Sequence, residues 1–428
     1  MSIASTSGTR PVNSHPHSPV SLWGVVTVMF LSFVGFSVAQ FHGYLFERIG
    51  FSPLQIGLLL GAGFAADILS PLFQVVAIRR LRGPRLPLVI VLAGAGLGTV
   101  VMPYVTGLWL AGLVFSFTLF CSSSINPLNT ACTLEVTRTR GPGFYFAVRT
   151  VGTVGYLFGC IVSYLLPEPA RLQWLYIGFG LASVLAIPVI LRFYVPEDPR
   201  QAPEDILVNP HPRRTPSIRR ALHLLASPVA KRLLWALGIM NFANAMATLV
   251  QGNYLMDRFA KGQASISLAW IIATAFEIPL MLACVWLVKR HGLRAVLGFG
   301  LLGTTLKLFF LGAADSYGVF LAGLAFHGCF FSGAIAGFSL FLDQKYAVSD
   351  RPSLQALGSL FYAGLPMALG GLVAGVLWHL FDLHTVYLIA ALIGLGAGAY
   401  TIMLMPKLPG RKDESRSVAS YTRALNSG

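Results

Sequence analysis

Tyr44-Leu45-Phe46-Glu47-Arg48 and Tyr254-Leu255-Met256-Asp257-Arg258 lie 210 residues apart and repeat one pattern: a tyrosine, two apolar residues, an acid and an arginine. The same offset lays Asp67-Ile68 on Glu277-Ile278 and Arg79-Arg80 on Lys289-Arg290. Matches at apolar positions carry little weight in a chain built from few residue types. Three charged features recurring in order at one offset, without a gap, point to duplication of a unit. Two equivalent halves are expected.

The residues between these landmarks are strongly apolar. Of 428 residues, 55% are hydrophobic and 11% charged, and mean hydropathy is +0.70. A soluble domain carries roughly 25% charged residues, so the solvent for this chain must itself be largely apolar. Apolar runs of the length that crosses a bilayer as a helix fall at 21–42, 53–77, 86–106, 109–133, 144–166 and 172–194. A second set falls at 233–256, 263–288, 293–314, 316–342, 353–380 and 384–405. The runs are continuous rather than alternating, which excludes lipid-facing barrel strands and leaves helices that satisfy their own backbone. The expected fold is an all-α membrane protein, with twelve transmembrane helices in two six-helix pseudo-symmetric bundles. The expected divisions are an N-terminal tail 1–20, a first bundle 21–195, a linker 196–230, a second bundle 231–406 and a tail 407–428. The linker is polar, proline-rich and basic, and the last tail has the composition of a disordered segment. The first twenty residues are polar and the first apolar run is too long for a cleavable signal peptide.

The net charge of +15 and pI of about 9.9 have a topological reading. Loops on the side of the termini hold Arg79, Arg80, Arg82, Arg85, Arg138, Arg140, Lys289, Arg290, Arg294, Lys345 and Arg351. The linker adds Arg200, Arg213, Arg214, Arg219, Arg220, Lys231 and Arg232. The opposite side holds only Arg48, Arg171, Arg258 and Lys261. Basic loops stay in the cytoplasm, so a multi-pass inner (plasma) membrane protein with both termini cytoplasmic is expected. The basic residues form no continuous stripe, so nucleic acid is not expected as a partner. The cysteines Cys121, Cys132, Cys160, Cys284 and Cys329 stand singly in apolar runs, as packing residues rather than metal ligands. No metal or cofactor is expected, and a monomer is.

Charges inside spans are the functional candidates, because each costs about 2.5–3.5 kcal/mol at the bilayer centre on insertion scales. They are Asp67, Arg149, Glu277 and Lys307, with His327 in the tenth span. Burial favours the neutral form of Glu277 and a nearby cation the charged form. A carboxyl set between the two can load and release a proton; the alternative is a static pair with Lys307. His327 suits proton handling, hydrogen bonding to a polar solute, or a structural role. Asp67, the repeat counterpart of Glu277, either serves coupling or pairs with Arg149. Lys307 reads as an electrostatic partner. Arg149 and Tyr156 share one face of the fifth span, with Gly152, Gly155 and Gly159 admitting a neighbouring helix. Such a face can bind a solute carboxylate or hydroxyls and stack a ring; the alternative for Arg149 is snorkelling to the interface. Asn126 and Asn129 in the fourth span and Asn241 and Asn244 in the seventh either line a cavity or bond neighbouring helices. His42 and His379, near span ends, are expected at the interface.

On these residues the chain resembles the major facilitator superfamily over nearly its whole length, nearest to the group of lactose permease, phenylpropionate permeases and nucleoside–proton symporters. Arg149, Gly152, Gly155 and Tyr156 match the helix-5 pattern of lactose permease, with Tyr for Trp. Glu277, Lys307 and His327 match its acid in helix 8, cation in helix 9 and histidine in helix 10. Phe330 stands where lactose permease has an acid, and Ala131 near its substrate-binding acid. The resemblance implies alternating access, with Glu277 and His327 in substrate binding and coupling and Arg149 in substrate binding. Proton-coupled symport of a small polar organic solute, such as a sugar, nucleoside or aromatic acid, is therefore expected. A proton-coupled drug or metabolite exporter is the alternative. No G-x-x-x-x-G-K-[ST] loop is present, which excludes an ATP-driven pump within this chain. No nucleophile–base cluster stands out, so an enzyme is not expected.

Overall fold

A computed structural model describes residues 19–404 except 71–72, 75–76, 78–79, 82–83, 138–141, 167–171, 194–217, 261 and 347–350. The tails 1–18 and 405–428, most of the expected linker, and the basic residues Arg79, Arg82, Arg138, Arg140 and Arg171 lie outside the described residues.

Among the described residues, helix covers most of each expected span. In chain order the apolar helices are α1 Leu22–Ile49, α2 Pro53–Asp67, α3 Arg85–Tyr104, α4 Leu108–Asn129, α5 Val148–Leu165 and α6 Leu172–Phe193. The second set is α7, bent by 53° between Pro228–Leu249 and Gln251–Phe259, then α8 Gln263–His291, α9 Leu293–Gly312, α10 Phe330–Leu342, α11 Leu357–Leu380 and α12 Leu383–Leu404. Among the described residues nine of these are long and apolar enough to cross a membrane unaided, and α2 and α10 are shorter.

The repeat is visible in the backbone. α1 changes to a tight 3-10 turn over Ser37–Phe41 before resuming at His42, and α7 breaks at Val250. Residues 41 and 251 are equivalent at the 210-residue offset, so both leading helices bend at one place. They also end alike. Gly50 and Ala260, again 210 apart, both take positive φ, at 101° and 47°. α2 then opens on a capping box, in which Ser52 Oγ accepts from Gln55 N–H and Gln55 Oε1 accepts from Ser52 N–H.

Within the first half, α1 packs on α5 and α6, and α3 on α4 and α6. Within the second, α9 and α7 pack on α12, and α7 on α11. Among the described residues the halves meet chiefly at α2 with α11, α5 with α8, and the outer segments of α1 and α7, with the Ser37–Phe41 turn of α1 also touching α8. The α2–α11 contact is the most extensive between any two described helices. Glycines bring its backbones together, since a Cβ on Gly57 would fall 2.6 Å from the Gly375 Cα. Where α1 and α7 meet, Asn253 Nδ2 donates to Gly43 O at 3.1 Å and to Glu47 Oε2 at 2.6 Å. These contacts lie toward the face where α1 ends and α2 begins, called the far face below.

Several expectations need correction. His42 is not interfacial: it is 7% exposed, with Nδ1 2.9 Å from the Tyr176 hydroxyl, because α1 continues well past residue 42. His379 is exposed as expected. The tenth span is not one regular helix. It runs as Tyr317–Leu324, a turn over residues 325–327, a π-helical segment Phe330–Ile335 and Ala336–Lys345. His327 therefore sits at a break rather than inside a helix. The expected linker also contains the helix Ile218–Leu225. Its apolar residues Ile218, Ala221, Leu222 and Leu225 follow helical spacing, and Tyr346 Oη donates to Leu224 O at its end. All five cysteines are buried, and none is in a disulfide among the described residues.

Candidate functional site

The site forms where α5 of the first half meets α8 of the second. Gly155 lets α5 press on α1, as a Cβ there would fall 2.5 Å from Phe30 O. With its back fixed to α1, α5 turns Arg149 and Tyr156 toward the middle of the molecule. The Arg149 guanidinium lies 4.8 Å from the Phe33 ring centroid, a cation–π contact that holds the charge without neutralising it. On α8, Glu277 is braced by the break region of the tenth span, where a Cβ on Gly328 would fall 2.8 Å from the Glu277 Cα. Arg149 is the cation whose charge reaches Glu277, yet no ion pair within 4.0 Å joins them among the described residues. Glu277, Arg149 and Tyr156 are all partly accessible.

Behind this pair lies a polar network internal to the second half. Lys307 is 1% exposed, and its ammonium reaches three acceptors: Asn244 Oδ1 at 2.8 Å, His327 Nδ1 at 2.9 Å and Thr248 Oγ1 at 3.3 Å. Three N–H donors meet three neutral acceptors, so the charge is hydrogen-bonded without a counter-ion. For Nδ1 to accept, His327 must be neutral with its proton on Nε2. Asn244 Nδ2 donates to Asn241 Oδ1 at 3.3 Å, and Asn241 Nδ2 donates to Tyr362 O at 2.8 Å. The network thus ties α7, α9 and the break before α10 to α11.

Trp270 joins the two parts, and the sequence reading passed over it. Its ring meets Tyr156 edge-on at 6.0 Å and His327 edge-on at 5.0 Å. The signal was available: Trp270 precedes Glu277 by seven residues, the spacing of Arg149 and Tyr156. Other expected members lie elsewhere. Asp67 has Ser123 of α4 as its hydrogen-bond partner, and among the described residues no ion pair joins it to Arg149. Glu277 pairs with no lysine, because Lys307 is already taken up by Asn244, Thr248 and His327. Asn126 is exposed and Asn129 buried in α4, and among the described residues neither hydrogen-bonds to the network.

The MFS_1 like family matches residues 22–389, and the chain belongs to that family. The xanthosine permease of Escherichia coli (strain K12) is 23% identical over 378 residues, covering 81% of this chain and 86% of the permease. The crystal structure of the nucleoside transporter NupG superposes with a TM-score of 0.74 at 18% identity, covering 91% of this chain and 100% of that one. An inward-facing, occupied bacterial homologue of the human lysosomal transporter Spinster gives a TM-score of 0.66 at 14% identity, covering 92% and 98%. These similar proteins are transporters, not enzymes, and this chain is a multi-pass membrane transporter of small molecules.

Proposed function

We propose that this transporter is a proton–nucleoside symporter working by alternating access. It functions as a monomer of two rocking halves, 21–195 and 231–406, in the inner membrane, with both termini and the linker 196–230 cytoplasmic. The observation that carries this reading is the unclosed pair of Arg149 from one half and Glu277 from the other, both partly accessible. A solute that bridges them draws the halves together, and a proton on Glu277 changes how strongly the bridge holds. Arg149 and Tyr156 bind the solute, with a nucleoside offering hydroxyls to the guanidinium and a ring to the aromatic wall. Lys307, His327, Asn241 and Asn244 support the coupling acid, and Asp67, Asn126 and Asn129 belong to the first-half wall. The nucleoside class is favoured over sugars and aromatic acids by likeness to the xanthosine permease and the nucleoside transporter. Positive-inside charge supports the orientation, which makes the far face the outer one.

The test is uptake into proteoliposomes of xanthosine, uridine, lactose and phenylpropionate under an imposed proton gradient. Nucleoside accumulation that collapses with a protonophore is expected. Accumulation of only the sugar or the acid would overturn the substrate class, and nucleoside accumulation indifferent to the gradient would overturn symport.

A further inference from the structure

Four buried polar atoms of the second half have no hydrogen-bond partner among the described residues: Gln251 Oε1 and Nε2, Ser267 Oγ and Trp270 Nε1. Gln251 is 1% exposed and Ser267 0%. A buried group left unpaired bears its full desolvation penalty, so such atoms call for an occupant. The repeat shows that packing does not require them. Their equivalents 210 residues earlier are Phe41, Gly57 and Leu60, with Phe41 0% and Leu60 2% exposed. The same positions of the same fold are thus built once from apolar residues and once from polar ones.

The atoms are ordered in space. A Cβ on Gly252 would fall 3.3 Å from Ile266 Cδ1, which sets Gln251 at the level of Ser267. Ser267 and Trp270 lie one turn apart on α8, and the Trp270 ring touches His327 at 5.0 Å. Glu277 lies two turns further along the same face. A water molecule offers two donors and two acceptors, the complement of a carboxamide, a hydroxyl and an indole N–H.

Building on the symport reading, we propose that ordered waters fill this track and carry protons from the far face to Glu277. A proton entering as hydronium passes along the file, one O–H bond forming for each one broken. The last forms on the Glu277 carboxylate and leaves it a neutral acid. The Asn253–Glu47 bond and the Gly57–Gly375 approach hold the halves together on the far-face side, and a single file of waters needs no solute-sized opening there.

The test uses the full chain in proteoliposomes with xanthosine as probe, comparing wild type with Gln251→Leu, Ser267→Gly and the double variant. Xanthosine-induced proton uptake should fall about tenfold in the double variant. Exchange of preloaded for external xanthosine, which needs no net proton movement and reports correct folding, should stay within about twofold. Wild-type proton uptake in the double variant would overturn the proposal. So would exchange that falls in step with proton uptake, because that is a packing defect. A wild-type protein that exchanges xanthosine without moving protons would bring down the symport reading, and the proton track with it.

Discussion

The two long seams between the halves are related by the internal repeat yet built from opposite materials. In the α2–α11 seam, Gly57 and Gly61 bring backbones to within van der Waals contact of Gly375 and Ala368. In the α5–α8 seam the residues equivalent to Gly57 and Leu60 are Ser267 and Trp270, and Arg149 is the cation whose charge reaches Glu277. The equivalent acids diverge as well. Asp67 is held by Ser123 of its own half, whereas Glu277 feels a cation of the opposite half. Duplication supplied two copies of one seam; the first became a tight joint and the second a site. An acid that answers to the opposite half can report their separation, and one bonded within its own half cannot.

If the division of labour is right, Arg149→Ala lowers all nucleoside transport, exchange included, by about 100-fold or more, the scale of losing one partner of a desolvated charged contact. Gly57→Leu drives a side chain into the Gly375 backbone of the tight joint, an overpacking cost of about 1–3 kcal/mol. Exchange and accumulation should then fall together about tenfold at unchanged KM, and a selective rise in KM would mean that the joint also binds solute. Trp270→Leu removes two edge-on ring contacts worth about 1 kcal/mol each and should raise KM severalfold, read from uptake kinetics. The smallest effect concerns the equivalent helix ends. A side chain in left-handed backbone costs about 1–2 kcal/mol, so Ala260→Gly should raise the thermal unfolding temperature and Gly50→Ala lower it, while leaving the site untouched.

Helix positions were legible because the bilayer imposes one length and one polarity on every span, and the charged landmarks fixed the repeat. The partners of the buried charges were not. Hydropathy gives the depth of Lys307 in α9 but not the rotation of that helix, and rotation turned its ammonium to Asn244, Thr248 and His327 rather than to an acid. The break at His327 was hidden because a turn within apolar sequence carries no polar punctuation. Its trace is the close approach of Gly328 to Glu277 and of Gly333 to Gly300. His42 lies in the interior rather than at the interface because α1 runs on to Ile49 and the Tyr176 hydroxyl satisfies the imidazole there.

The central claim is that the acid of the α5–α8 seam, and not its repeat counterpart, carries the coupled proton. Nucleoside-induced alkalinisation outside right-side-out vesicles, recorded for Glu277→Gln and Asp67→Asn beside wild type, tests it directly. The account predicts that Glu277→Gln abolishes alkalinisation while nucleoside exchange continues, and that Asp67→Asn keeps both. Full alkalinisation in Glu277→Gln, or its loss in Asp67→Asn alone, would contradict it.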